Sequence, residues 1–359
     1  MTARSRSLAV ALALVAAGAA GSSAAPKGRT GRAAARRPAI IASVGTPSAT
    51  PEVAEKMLRS GTRWFRFNLA HKNKRLAARE ASVVRDAAAR LGVRAPLLFD
   101  LPGGKIRTGP PPAAGQVTLR EGAAFTLRHG GRASASTGGA AWVDYKGFDR
   151  YLKAGDRVLL HQGKIELEVT GVSPGEIATR VVRGGILRGR ATVNVVGADP
   201  AFPTMTPTDR RKLAIAVASG ADYIGVSMVQ RPEQMRAVRR ALDRLGAPQT
   251  KLVAKIETLS ALDNLDAIVA ESDMVMIARG DLATAVGSPE ALRVAEKKIA
   301  RVCKRRGVEF IDATGFEGPD AAAEVARAKK LGSHYILLKN TAIDPDPAGI
   351  VERLHALLE

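Results

Sequence analysis

The chain has 359 residues, 46% hydrophobic and 25% charged, a globular composition that excludes a disordered, collagen-like or multi-span membrane protein. Its single cysteine, Cys303, excludes an intramolecular disulfide framework and a cysteine-based metal cage. The balance of 55 basic against 34 acidic residues gives a net charge of +21, which favours anionic partners such as nucleic acid or phosphorylated metabolites. Aromatic residues make up only 4%, too few for base-stacking platforms, so we expect no nucleic acid.

Residues 1–37 form a basic N-terminal extension. Residues 1–6 are basic, 8–20 are small and apolar, and 22–25 offer small residues for cleavage, which is the pattern of a secretory signal peptide too short to span a membrane. The alternatives are an alanine-rich disordered extension or a start codon assigned too far upstream. Residues 26–37 are typical of a flexible basic linker, and no later segment has 18 uncharged apolar residues, so we expect no membrane span.

From residue 38 onwards, short apolar, β-branched runs alternate with stretches of helical spacing. Thr50 before Pro51 predicts a capped helix start, and helices are predicted at 51–60, 75–91, 209–219 and 231–245. The strand runs are 39–44, 63–67, 96–99, 222–226, 251–256, 273–278, 308–311 and 334–338. Eight such units favour a (β/α)8 TIM barrel over an open doubly wound sheet.

The interval between Gly109 and Phe202 breaks this alternation. It contains short alternating runs separated by Gly and Asp turns, at 117–119, 124–127, 157–160, 165–169, 177–182 and 192–196. We therefore expect a small all-β lid domain, residues 110–202, inserted after strand 3 between barrel parts 38–109 and 203–359. Cys303 lies in a helical stretch beside Val302 and is predicted to be a core residue.

Polar residues follow the carboxyl ends of the predicted strands, where barrel active sites form. Arg66 and Asn68 on strand 2 are two residues apart and therefore face the same side. Strand 3 ends at Asp100, and Lys105 and Arg107 follow it. The later strands lead to Ser227, Lys255–Ile256–Glu257, Arg279–Gly280–Asp281 and Thr314.

These residue types indicate phosphoryl or enolate chemistry with a metal. The carboxylates Glu257 and Asp281, without histidine or cysteine ligands, favour a hard cation such as Mg²⁺ completed by water and substrate oxygens. Lys255 is suited to neutralise a transferring phosphoryl group, and Arg66 and Arg107 to bind phosphate oxygens.

Each candidate also has a purely structural interpretation. The alternatives are a Lys255–Glu257 ion pair at a strand end, an Arg279–Asp281 turn bridge, an Asn68 helix cap, turn roles for Ser227 and Thr314, and surface or loop positions for His71 and His161. The joint placement of the candidates on one rim favours the functional interpretation.

Several segments occur in the order of one known family. They include RWFRFNLAH (63–71), LLFDLPGGKIRTG (97–109), WVDYKGF (142–148), TVNVVG (192–197), VAKIET (253–258) and MVMIARGDLA (274–283). Together, residues 37–342 resemble pyruvate kinase, including the lid domain between strands 3 and 4. The resemblance implies a phosphotransferase that moves a phosphoryl group from phosphoenolpyruvate to ADP, giving pyruvate and ATP, with Mg²⁺ or Mn²⁺.

The resemblance also implies roles for individual residues. Glu257 and Asp281 would hold the divalent metal, and Lys255 would stabilise the phosphoryl group in flight. Ser227, the Gly280 and Asp281 amides and Thr314 would bind the substrate, and Thr314 would also relay a proton to the enolate. Arg66 and Arg107 would contact phosphates. The nucleotide would bind beside Asn68, His71 and Arg107.

The family's monovalent-cation site is altered. Asn68 and Asp100 match positions around it, but Ala70 replaces the family serine. Lys105 stands where potassium-dependent members carry glutamate, and members with lysine there resemble potassium-independent enzymes. Because a fixed ammonium can replace a bound monovalent cation, we expect no requirement for K⁺. The alternative is an exposed loop lysine.

Other departures affect the nucleotide side and the assembly. His161–Gln162–Gly163 replaces an acidic lid turn, Ala191 replaces a lid lysine, although Arg190 is adjacent, and Gln230 replaces an arginine. The stretch after Thr314, which builds subunit contacts in the family, is shortened, so the resemblance does not carry the family's tetramer over. The sequence ends about where the barrel closes, which implies a protein without the family's C-terminal allosteric domain.

Three functions stay open from the sequence. Phosphoryl transfer from phosphoenolpyruvate to ADP is the first. A Mg²⁺-dependent lyase or aldolase with a phosphoenolpyruvate or pyruvate site is the second, favoured by the altered nucleotide side and opposed by the lid. A degenerate, non-enzymatic relative that binds polyanions is the third, opposed by the retained carboxylates. The substrates of the first function are cytoplasmic, so we expect a cytoplasmic location, with export through the signal-like N-terminus as the alternative.

Overall fold

The computed structural model describes residues 37–110, 112–130, 134–313 and 316–359. The signal-like segment and Thr314 lie outside the described residues. The chain begins with β1 (Ala39–Ser43), α1 (Pro51–Arg59), β2 (Thr62–Asn68), α2 (Lys74–Arg90) and β3 (Leu97–Asp100). The predicted cap is confirmed, because the Thr50 side chain accepts a hydrogen bond from Val53 N at 3.3 Å.

The next described strands belong to sheets outside the barrel. They are β4 (Gln116–Leu119), β5 (Ala124–His129), β6 (Ala140–Val143), β7 (Arg157–Leu160), β8 (Ile165–Ser173), β9 (Glu176–Arg183), β10 (Gly185–Arg188) and β11 (Val193–Val195). One sheet has the order β11-β7-β8-β9-β5-β6, and β10 pairs with β4. A hydrophobic core of their own, which includes Phe125, Leu127 and Leu167, holds these sheets together.

Two of these strands, β6 and β10, are absent from the sequence prediction. The run AAWV of β6 follows Gly138 and Gly139 and is rich in alanine, which has little intrinsic preference for strands. The run GILR of β10 is equally short and pairs with β4 alone. Both strands therefore depend on their pairing partners rather than on a pattern of their own.

The remaining elements resume the alternation of strands and helices. They are α3 (Pro207–Ala218), β12 (Tyr223–Val226), α4 (Pro232–Arg244), β13 (Lys251–Ile256), α5 (Leu259–Asp263), α6 (Leu265–Ala270), β14 (Met274–Ala278), α7 (Arg279–Val286), α8 (Pro289–Arg306), β15 (Glu309–Ala313), α9 (Ala321–Leu331), β16 (Tyr335–Leu338) and α10 (Pro347–Leu358). Within the described ranges, no helix is both long and apolar enough to cross a membrane.

The barrel closes in the order β1-β16-β15-β14-β13-β12-β3-β2, with each neighbouring pair parallel. The predicted (β/α)8 fold with separate β sheets after strand 3 is therefore confirmed. The helices pack their apolar faces against the outside of the barrel, where Cys303 is fully buried, as predicted. Inside the barrel, Trp64 lies 4.4 Å from Tyr223 and 4.8 Å from Tyr335 between ring centroids, at the end where the strands begin.

The inserted sheets connect to the barrel through two chain segments that lie side by side. Thr108 N donates to Ala191 O at 2.8 Å, and Val193 N donates to Ile106 O at 3.0 Å. Arg107 forms an antiparallel bridge with Thr192 between these bonds. The segment that leaves the barrel and the segment that returns are thus held together as a short paired ribbon.

Candidate active site

The carboxyl ends of the barrel strands and the inserted sheets enclose a cleft of about 460 Å³. Ser227 lies behind its floor, where its hydroxyl contacts Lys255. The structure does not place Thr314, which lies outside the described residues. The other residues predicted from the sequence line the cleft together: Arg66, Asn68, His71, Asp100, Lys105, Arg107, Lys255, Glu257, Gly280 and Asp281.

Lys255 is the centre of the cleft floor. Its ammonium lies 3.1 Å from Glu257 Oε1, 3.2 Å from Asp100 Oδ2 and 2.9 Å from Ser227 Oγ. The lysine side chain is 8% exposed and the Glu257 side chain 0%. The predicted pair therefore exists, but it is a buried cluster rather than a solvated ion pair, and such a cluster depends on each of its charges.

Asp100 is compensated by two fixed cations. Arg66 donates to Asp100 Oδ2 from Nε at 3.0 Å and from Nη2 at 2.8 Å, and Lys255 approaches the same oxygen. Burial would raise the pKa of Asp100, but Lys255 and Arg66 outweigh it and lower that pKa. A carbon atom added at Gly225 would lie 2.1 Å from Asp100 Oδ1, so glycine on β12 makes room for this carboxylate.

Glu257 has two oxygens in different environments. Its Oε2 accepts a hydrogen bond from Met228 N at 2.7 Å, and Met228 has a φ of 57°, in the left-handed region that a methionine rarely adopts. Its Oε1 is buried and accepts no hydrogen bond, although two ammonium groups face it. One oxygen therefore holds a strained turn after β12, and the other points to where a cation would bind.

Lys105 lies on the other side of Glu257. Its Nζ is 2.6 Å from Asp281 Oδ2 and 3.6 Å from Glu257 Oε1. Burial would lower the pKa of this ammonium, but the two carboxylates outweigh it and raise that pKa. The structure therefore places Lys105 between the predicted metal ligands, whereas Asp100, grouped with Lys105 in the sequence analysis, pairs with Arg66 and Lys255.

The side of the cleft nearest to the inserted sheets carries Asn68, His71 and Arg107. Asn68 Oδ1 accepts from Ala70 N at 3.1 Å and caps the short 3-10 turn that follows β2, so this oxygen has a structural contact. Burial and nearby cations, Arg107 first among them, lower the pKa of His71, so its imidazole is neutral at physiological pH. The Arg107 guanidinium donates to the backbone oxygen of Arg190 at 2.9 Å.

The cleft also contains side chains without an assigned role in the sequence analysis. They are His161, Gln162, Arg188, Arg190, Thr192, Met276 and Lys339. Thr192 Oγ1 accepts from Gln162 N at 2.9 Å, which ties the turn at 161–163 to the returning segment. For Arg188 and Arg190, the sequence offered a signal: two arginines on either side of Gly189 at the end of a strand are typical of an anion-binding turn. The other residues had no such signal.

Arg279 belongs to a buried ion network behind the cleft. Its guanidinium lies 2.8 Å from Glu296 and also pairs with Glu324. Arg327 contacts the same two carboxylates and lies 2.7 Å from Asp312 Oδ2. Burial outweighs these arginines and raises the pKa of Asp312 to about 6. These contacts support a structural role for Arg279, which anchors α7 directly before Gly280 and Asp281.

The cleft is strongly positive. Its described lining has seven basic residues and three carboxylates, Arg66, Lys105, Arg107, Arg188, Arg190, Lys255 and Lys339 against Asp100, Glu257 and Asp281. Such an excess in a concave site concentrates anions. The expected ligands are therefore phosphorylated and carboxylated molecules.

The pair Glu257 and Asp281 fits a hard divalent cation. Both supply carboxylate oxygens, and Glu257 Oε1 is buried without a hydrogen bond. Over the described ranges, no group of three or more His, Cys, Asp and Glu side chains could hold a metal ion. A cation here would therefore complete its shell with water and substrate oxygens, which is the usual behaviour of Mg²⁺ at phosphate sites.

Comparison with known proteins identifies the family of the chain. The family model described as pyruvate kinase, barrel domain, matches residues 35–318. The chain belongs to the pyruvate kinase family. The pyruvate kinase of Methylorubrum extorquens is 34% identical over 282 residues, which cover 78% of this chain and 57% of the relative. The pyruvate kinase of Bacillus licheniformis is 29% identical over 332 residues, covering 89% and 56%.

The pyruvate kinase of Buchnera aphidicola subsp. Acyrthosiphon pisum is 31% identical over 282 residues, covering 78% of this chain and 58% of the relative. This pyruvate kinase family member thus spans somewhat more than half the length of these relatives. The family resemblance inferred from the sequence motifs is confirmed.

Proposed function

We propose that this chain catalyses Mg²⁺- or Mn²⁺-dependent phosphoryl transfer from phosphoenolpyruvate to ADP, giving pyruvate and ATP. The observation that carries the proposal is the meeting of Lys255, Glu257 and Asp281 on the floor of one positive cleft, in a chain of the pyruvate kinase family. The relatives are themselves named pyruvate kinase, which favours phosphoryl transfer over a lyase or aldolase reaction.

In this proposal, the residues of the cleft floor neutralise the negative charge of the phosphoryl group. A divalent cation on Glu257 and Asp281 would supply Lewis-acid stabilisation of phosphoryl oxygens. Lys255 brings a fixed ammonium to the same place, which needs no reorganisation because Ser227 and Asp100 already orient it. Arg66, held by Asp100 through Nε and Nη2, adds a second positive group at the edge of the cleft.

The substrate carboxylate would bind at the start of α7. The N–H groups of Gly280 and Asp281 lie in the first turn of this helix, where the backbone has no intrahelical acceptor. A Cβ at Gly280 would meet no atom within 4 Å, so the position is open to a ligand. We assign proton transfer to the enolate to Thr314, directly after β15.

The nucleotide would bind between Asn68, His71 and Arg107 on the barrel and the arginines of the inserted segment, which acts as a lid. Arg188 and Arg190 supply positive charge on the lid, where the family lysine is missing and Ala191 stands. A guanidinium binds phosphate through paired N–H groups, so these arginines are suited to replace the lysine.

We also propose that turnover needs no K⁺. Two fixed cations, Arg66 and Lys255, already neutralise Asp100, and Lys105 adds a third cation at the metal ligands. We further propose that the chain acts in the cytoplasm, where both substrates occur; fractionation of cells into cytoplasmic and exported pools would test this location.

The test is turnover of the full chain with phosphoenolpyruvate, ADP and Mg²⁺, with and without K⁺. Pyruvate is followed by coupling to lactate dehydrogenase, and ATP is followed in parallel by luciferase. We expect equal amounts of pyruvate and ATP, formation of both only when ADP is present, and equal rates without K⁺. Pyruvate formed without ADP would instead indicate lyase or phosphatase chemistry.

Variants separate chemistry from folding. Glu257→Gln and Lys255→Met should each lose turnover on the order of 10³-fold, because the first removes a ligand of the divalent cation and the second removes a positive charge that stabilises the transition state. The matched control is Lys146→Met, which removes an exposed lysine of the inserted segment and should leave turnover unchanged. Circular dichroism spectra would verify that each variant is folded. Absence of turnover in the folded unmodified chain would refute the proposal.

A further inference from the structure

The two carboxylates that would bind the divalent cation already hold a cation of the chain itself. Lys105 Nζ lies 2.6 Å from Asp281 Oδ2 and 3.6 Å from Glu257 Oε1. Glu257 Oε1 is also the buried oxygen that accepts no hydrogen bond. The ammonium therefore lies against the same oxygen atoms that a metal ion would need.

The position is enclosed, so solvent screens the interaction only weakly. The side chain of Lys105 is 18% exposed, that of Asp281 14% and that of Glu257 0%. Lys255 contributes a second ammonium, 3.1 Å from Glu257 Oε1. A divalent ion added to this arrangement would face two positive charges at close range in a medium of low dielectric constant, where like charges repel much more strongly than in water.

The backbone around Lys105 is fixed on both sides. Before it, Gly103 N donates to Asp209 Oδ1 at 3.0 Å. After it, Ile106 O accepts from Val193 N at 3.0 Å within the paired ribbon that joins the inserted sheets to the barrel. The ammonium can therefore leave the carboxylates through rotation of its own side chain into the cleft, without displacement of the barrel.

We infer that Lys105 is an internal competitor for the divalent cation: it holds Glu257 and Asp281 in the absence of metal, and metal binding must displace it. This inference rests on the proposed function in so far as Glu257 and Asp281 are the metal ligands. It goes beyond potassium independence, because it concerns the affinity of the divalent site. Because Lys105 occupies the carboxylates, the free enzyme binds the divalent metal weakly. An anionic substrate that attracts the Lys105 ammonium raises the affinity for the metal.

The test is direct binding of Mn²⁺ to the full chain, measured by electron paramagnetic resonance of the free ion and without any turnover. We expect Lys105→Met and Lys105→Gln to bind Mn²⁺ at least about tenfold more tightly than the unmodified chain. Lys146→Met should bind as the unmodified chain does. Glu257→Gln combined with Lys105→Met should abolish the gain, which would locate the ion at this pair.

A second arm uses phosphoenolpyruvate without ADP. In the unmodified chain its addition should tighten Mn²⁺ binding by a larger factor than in Lys105→Met, because the substrate phosphate gives the displaced ammonium a new partner. Equal or weaker Mn²⁺ affinity in both folded Lys105 variants would overturn the inference. A gain that persists with Glu257→Gln, or no Mn²⁺ binding in any form, would overturn it as well. Tighter Mn²⁺ binding in Lys105→Met, together with no turnover in the folded unmodified chain, would support the inference and refute the proposed function alone.

Discussion

Removal of the Lys255 ammonium should lower the stability of the fold, in addition to its expected effect on turnover. In Lys255→Met, Glu257 and Asp100 lose an ammonium at 3.1 and 3.2 Å, and Ser227 loses its contact at 2.9 Å. Loss of one partner from a buried ion pair costs ~3–5 kcal/mol. Methionine retains most of the apolar stem, and Arg66 still neutralises Asp100, so we expect the lower end, about 3 kcal/mol at neutral pH.

The loss should also depend on pH in a defined direction. The pKa of Asp100 is lowered in the folded chain, so its contribution to stability is present above its unfolded pKa and is lost as the pH falls through the folded value. Lys255 contributes to this lowering of the Asp100 pKa, so without Lys255 the Asp100 carboxylate accepts a proton at a higher pH. The difference in the free energy of unfolding between the unmodified chain and Lys255→Met should therefore shrink as the pH falls towards and below about 4.

Urea unfolding followed by circular dichroism measures this difference. Lys146→Met is the matched control, because it also replaces a lysine by methionine but at an exposed position, and it should change the free energy of unfolding by less than ~0.5 kcal/mol. A loss below ~1 kcal/mol in Lys255→Met, or a loss that stays constant with pH, would refute the reasoning that buried carboxylates depend on this lysine.

Gly225→Ala should cost ~1–3 kcal/mol in urea unfolding, because the new carbon would lie 2.1 Å from Asp100 Oδ1, whereas Gly139→Ala, with no atom within 4 Å, should cost much less. Asp312 binds a proton in the folded chain up to a pKa of about 6, against 3.8 as the ordinary value, so stability should fall as the pH rises through this interval, and Asp312→Asn should remove that fall. The Cys303 thiol, with burial raising its pKa to about 12, should react with a thiol reagent only after unfolding.

Each of these outcomes has a clear opposite. Equal losses at the two glycines would mean that β12 can move away from Asp100. Parallel pH curves for Asp312→Asn and the unmodified chain would mean that Arg327 neutralises the carboxylate fully. Rapid labelling of Cys303 under native conditions would mean that α8 opens readily from the barrel.

The barrel could be predicted from the sequence because each of its strands carries its own signal. The runs that become β1 and β14 are mostly apolar on both faces, as buried parallel strands require, and the strand runs recur at intervals set by the helices. The short strands β6 and β10 gave no such signal. Strand β6 lies at a sheet edge beside β5, and β10 pairs with β4 alone, so each depends on its single partner strand.

The sequence predicted which residues form the candidate site, but not which cation contacts which carboxylate. The carboxyl ends of parallel strands meet on one rim, so Arg66, Lys255 and Glu257 could be placed together from spacing alone. Which cation faces which carboxylate depends on side-chain length and on the path of the segment after β3. The sequence therefore did not show that Lys105 contacts Asp281. It also did not show that Met228 has a left-handed backbone conformation and donates its N–H to Glu257.

The paired ribbon at Ile106–Thr108 and Ala191–Val193 also has a consequence for how such a chain can be remodelled. Because the outgoing and returning segments are already hydrogen-bonded neighbours, with Thr108 N 2.8 Å from Ala191 O, everything between them is a side branch of the barrel. A turn of a few residues could join these two positions without moving a barrel strand. The insertion can thus change in length, charge or sequence while the floor of the cleft keeps its geometry, so ligand preference and the proposed chemistry of the floor are free to evolve separately.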